Sequence, residues 1–143
     1  MISCTDFIPA YNELFRFIEE MKDKKAVLGF WNYLSDVFLT NLKNHVADLG
    51  IRGCWVYWEK TLNEEAADFT MELDETAGVF SITMNPCPSK KLLLEKEQIK
   101  PCPAYCEHCD VLYRRVLEPL GYSYDLDRSQ TDRARCRLTV KAR

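Results

Sequence analysis

The apolar residues of this chain change their period near the middle, from the 3.6 of a helix to the 2 of a strand. That change confines the chain to an architecture of helices packed on a sheet. Phe7, Tyr11, Leu14, Phe15 and Ile18 recur at helical spacing, with Thr5 or Asp6 expected as N-cap and Pro9 in the first turn. A second helix is predicted from Asp23 or Lys24 through Trp31, Leu42 and Leu49, stopped by Gly50 as a C-cap glycine, with a stripe broad enough to pack on two sides.

After Gly53 the residues favour strands. Cys54-Trp55-Val56-Tyr57-Trp58, Phe69 to Leu73 and Val79 to Met84 are rich in β-branched and aromatic residues, and the last two flank the hairpin-length Asp74 to Gly78. An antiparallel meander is expected, closed by Pro86 and Pro88, which cannot donate to a ladder. Ser89 to Gln98 reads as a short helix and Ala104 to Pro119 as a longer one. Two strands end the chain, one around Tyr122, Tyr124 and Leu126 and one in which Ala134, Cys136, Leu138 and Val140 alternate with Arg133, Arg135, Arg137 and Thr139. The expected fold class is α+β: N-terminal helices on an antiparallel sheet of about four to five strands, with a helix before the last strands. At 143 residues and 47% hydrophobic content, residues 1–143 suit one domain with its own core.

A net charge of −3 offers no concentrated basic surface for nucleic acid or an anionic membrane. No uncharged run of about 18 residues is present to span a bilayer, and the first residues do not read as a signal peptide, so a cytoplasmic location is expected. In that compartment seven cysteines point to metal binding or thiol reactivity before structural disulfides.

The densest chemical signal is Pro101-Cys102-Pro103-Ala104-Tyr105-Cys106-Glu107-His108-Cys109-Asp110. Cys106 and Cys109, three apart, share a helix face, and Cys102 can fold back towards them. Cys87 is the natural fourth, because Pro86-Cys87-Pro88 repeats the setting of Pro101-Cys102-Pro103. Four thiolates at Cys87, Cys102, Cys106 and Cys109 suit tetrahedral zinc or an iron-sulfur cluster, and His108 can replace one of them on zinc. Without a metal, the same thiols can respond to oxidation.

For catalysis the candidates are Cys106, His108 and Asp110. Cys106 sits where a helix N-terminus can depress a thiol pKa. His108 and Asp110 flank Cys109, although neighbours on a helix point about 100° apart and adjacency alone does not pair them. Cys54 and Cys136 read as apolar packing on strand faces, His45 as a boundary residue, Asp125 and Asp127 as solvated edge charges, and Trp31, Trp55 and Trp58 as core.

Cys87-Pro88, Tyr105-Cys106 with Asp110, and Cys136 in the last strand, in this order of elements from Val56 to Val140, resemble the L-2-amino-thiazoline-4-carboxylic acid hydrolase-like family. More distantly they resemble the small-molecule-binding domains named after 4-vinyl reductase. The first resemblance implies a small ligand held between helices and sheet, and ring-opening hydrolysis of a cyclic amidine-like C–N bond. The second implies cysteine-bound zinc and ligand sensing without catalysis. The expected function is therefore a small-molecule-acting, hydrolase-like protein with a cysteine-rich zinc or iron-sulfur site, or alternatively a metal-stapled binding or sensor domain. Aromatics along the first two helices either complete the core or bury a homodimer interface.

Overall fold

The computed structural model describes the backbone of residues 4–143. Helix α1 (Cys4–Met21) is already running at its first described residue, so Thr5 and Asp6 are helical residues, and the cap lies outside the described residues, as does the side chain of Cys4. Helix α2 (Lys24–Phe38) starts at Asp23, whose carboxylate accepts the Ala26 N–H at 2.7 Å. The single second helix expected from the pattern is instead two, because the chain bends at Leu39 (φ −94°, ψ 20°) before α3 (Thr40–Leu49). The bend has a packing cause. Val27 and Trp31 of α2 enter one core with Phe15 and Leu93, whereas Leu42 and Val46 of α3 enter another with Trp58 and Phe80. One straight helix could not serve both. Gly50 ends α3 at φ 62°, a left-handed conformation suited to glycine.

The strand expected at Cys54 to Trp58 is the first half of a helix, α4 (Arg52–Glu64). Local β propensity loses there to a longer-range period: Cys54, Trp58 and Leu62, four apart, are all buried on one side. Gly53 permits the α3–α4 approach, since a Cβ at that position would lie 2.2 Å from the His45 carbonyl oxygen.

The sheet has four antiparallel strands in the order β1-β2-β4-β3, with β1 Phe69–Asp74, β2 Val79–Met84, β3 Tyr122–Asp127 and β4 Cys136–Ala142. Two hairpins thus meet along β2 and β4, where an expected meander would have run strand by strand. Register places Phe80 opposite Val140, Ile82 opposite Leu138 and Met84 opposite Cys136, so one face is continuously apolar and packs on the helices. Between the hairpins lie α5 (Pro88–Glu95), begun by the proline, and α6 (Glu107–Leu117). Helix α6 bridges the two cores: Val111 packs on the α1–α2–α5 cluster, while Tyr113, Val116 and Leu117 join the sheet cluster. The α+β class, helices before a four-stranded antiparallel sheet, is as expected. No helix among the described residues is long and apolar enough to cross a membrane.

Candidate functional site: a thiol-lined cavity at the start of helix α6

Three chain segments meet where β2 ends, α6 begins and β4 begins. Cys87 leaves β2 with its N–H donating to the Ala134 carbonyl at 2.6 Å, which fixes it beside the start of β4. Cys106 is the N-cap residue of α6, and Cys109 lies in that helix's first turn. Cys87, Cys106 and Cys109 line one cavity of about 70 Å³, and the fourth thiol on its wall is Cys136. That space takes roughly half a dozen water-sized groups.

Cys102 is elsewhere. Asn12 of α1 is fully buried, donates from Nδ2 to the Lys100 carbonyl at 3.0 Å and accepts the Cys102 N–H at 2.7 Å. This latch turns Cys102 into the α1–α2–α5 core, where it is 1% exposed and packs with Phe15 and Leu93. The two Pro-Cys-Pro settings therefore do not converge. Among the described residues no group of three or more His, Cys, Asp or Glu side chains is arranged to hold a metal ion. The four thiols expected from spacing are not brought together, because Cys102 lies in the helical core while Cys87, Cys106 and Cys109 line the cavity. Cys54, on α4, is core, and His45 is a boundary residue.

One chemical pairing in the cavity is one that helical spacing argued against. His108 Nδ1 contacts the Tyr105 carbonyl, which can only accept, so Nδ1 carries the proton and Nε2 is free to accept. Cys109 Sγ lies 3.5 Å from that Nε2. Thiol, imidazole and carbonyl form a chain in which each group orients the next. The pair forms because the His108 ring folds back over the turn preceding α6, packed edge-on to Tyr11 and Tyr105 at centroid distances of 5.6 and 4.9 Å.

Burial sets the protonation of this pair. It pushes His108 down to about 4, partly opposed by the Tyr105 hydrogen bond, so the imidazole is neutral at pH 7. It pushes the Cys109 thiol up to about 12, helped by the nearby charges of Glu65 and Asp110. Cys106 goes up to about 11 despite the pull of Lys90 and Arg128. A helix N-terminus offers a thiolate on the order of 1 kcal/mol, under one pKa unit, which burial exceeds. The resting cavity is thus a wall of neutral thiols with the proton between Cys109 and His108 on sulfur.

Lys90, Arg128 and Arg135 are the charged side chains on the wall, so the space favours an anionic group. Asp110 lies outside it, ion-paired to Arg114 at 2.7 Å. Asp127 accepts the Ser129 N–H at 2.9 Å in an exposed turn. Trp31 and Trp58 are core, Trp58 stacked on Phe80 at 5.6 Å. Sequence reasoning missed Cys136 as a cavity residue and missed Tyr11 and Glu65, which stand with His108 around two further spaces beside α1. Inward alternation did signal the burial of Cys136. Nothing in it told that this end of the inner face borders a cavity.

Fold and site together define an α+β protein with a thiol-lined cavity whose charged wall residues are basic. Comparison with known protein families, curated proteins and solved structures returned no match.

Proposed function

We propose that this protein is a thiol hydrolase that opens a C–N bond in a compact substrate bearing an anionic group. The observation that carries the reading is the Tyr105–His108–Cys109 chain of hydrogen-bonding groups facing a small cavity. Lys90, Arg128 and Arg135 would hold the substrate's carboxylate. Cys109 Sγ bonds to the electrophilic carbon as its proton passes to His108 Nε2. The C–N bond then breaks, and the same proton moves from Nε2 to the departing nitrogen. Water adds to the thioimidate carbon with its proton taken by His108, the C–S bond breaks, and sulfur recovers the proton. The net change is one water across one C–N bond. The resemblance of Cys87-Pro88 and Tyr105-Cys106 to the L-2-amino-thiazoline-4-carboxylic acid hydrolase-like family supplies the substrate class, a cyclic amidine carrying a carboxylate.

A second reading, ligand binding without turnover, is favoured by the burial that keeps every cavity thiol protonated. Both readings are tested with L-2-amino-thiazoline-4-carboxylate and the full chain. For the hydrolase, ring opening followed by mass spectrometry falls on the order of 10³-fold or more in Cys109→Ser and less than tenfold in Cys106→Ser. Saturable binding with no ring opening supports the second reading. Equal turnover by wild type and Cys109→Ser sinks the first.

A further inference from the structure

On the α1 side of His108, two spaces of about 220 and 350 Å³ share Phe7, Tyr11, Glu65 and His108 as walls. The larger also has Tyr57 and Tyr113 on its wall. Its size is that of a small-molecule pocket, several times the thiol cavity. Its charge is opposite. Among the described residues no lysine or arginine lines either space, His108 is neutral, and Glu65 at the end of α4 is the one charged side chain on the walls. Burial moves the Glu65 carboxyl up, and no described lysine or arginine shares the wall with it. Phe7 stacks on Tyr11 at 5.4 Å, giving the wall flat aromatic faces of the kind that attract a cation.

We propose that this aromatic space is a second binding site, for an organic cation of the arylalkylammonium class, with Glu65 as counter-ion and the rings of Phe7, Tyr11 and Tyr57 around the apolar body. This space shares its His108 wall with the thiol cavity, whereas Cys109 lines the thiol cavity alone.

The test is isothermal titration of the full chain with 2-phenylethylammonium, its neutral counterpart 2-phenylethanol, and 3-phenylpropanoate. The ammonium is expected to bind best, and Glu65→Gln to weaken it by about tenfold or more while leaving the alcohol unchanged. Glu65→Lys is expected to reverse the order so that the carboxylate binds best. Glu65 is the C-cap of α4 and belongs to neither apolar core, so thermal melts of both variants should match wild type. Equal affinity for ammonium and alcohol, an ammonium affinity unmoved by Glu65→Gln, or no ammonium binding overturns the proposal. Cys109→Ser separates it from the hydrolase reading, because that variant should lose turnover and keep ammonium binding.

Discussion

At the scale of single residues, burial governs the chemistry here more than helix position does. Cys106 occupies the position where a helix N-terminus would activate a thiol, yet its pKa lies near 11 and that of Cys109 near 12. Iodoacetamide should therefore label the cavity thiols slowly at pH 7, with rates rising about tenfold per pH unit through pH 10 as thiolate forms. Peptide mapping after timed quenching checks this, and rapid labelling of Cys109 at pH 7 would contradict it. The reactive residue types were legible in the sequence, and their pairing was not. Cys106-Glu107-His108-Cys109 advertises an i, i+3 thiol pair, whereas the contact that forms is between neighbours, created by a turn whose Tyr105 carbonyl captures the imidazole.

The elements were legible where one period ran unopposed. Helix α1, the β1–β2 hairpin, and strands β3 and β4 stand where alternation or helical spacing put them. Two readings failed because tertiary packing decided them: the strand-like Cys54 to Trp58 is helical because Leu62 extends its buried row, and α2 and α3 part at Leu39 because two cores compete for one apolar stripe. The Asn12 latch lies at the same scale and had no sequence signature, being a contact across 90 positions. Asn12→Ala should leave the Lys100 carbonyl and the Cys102 N–H without their partner, at about 1–3 kcal/mol each, and lower the denaturation midpoint without changing the fold. Urea titration followed by circular dichroism measures it; an unchanged midpoint would show that the loop is held some other way. Gly53→Ala should be costlier, because its Cβ meets α3 backbone and no flexible side chain can yield.

For the whole molecule, the two cores meet along α6, and the candidate site lies at that seam, with His108 against the rings of the helical core and Cys87 and Cys136 bordering the sheet core. Stability should depend on pH accordingly. The native His108 pKa is depressed from 6.5 to about 4, so its contribution, on the order of 3 kcal/mol, is present above pH 6.5 and lost as pH falls towards 4. The native thiols are raised from 9.0 to about 11 or 12, so their contribution is present below pH 9 and lost as pH rises through that interval. Denaturation across pH should show a plateau between these limits, and His108→Gln should flatten its acid side. The central claim is that a neutral His108, protonated on Nδ1, accepts the Cys109 proton at Nε2. Long-range ¹H–¹⁵N correlation of the imidazole ring between pH 4 and 8 tests it most directly. The structure predicts a single Nδ1–H tautomer that stays neutral down to about pH 5, with an Nε2 shift that moves in Cys109→Ala. A ring protonated on Nε2, or one titrating near 6.5, would contradict it.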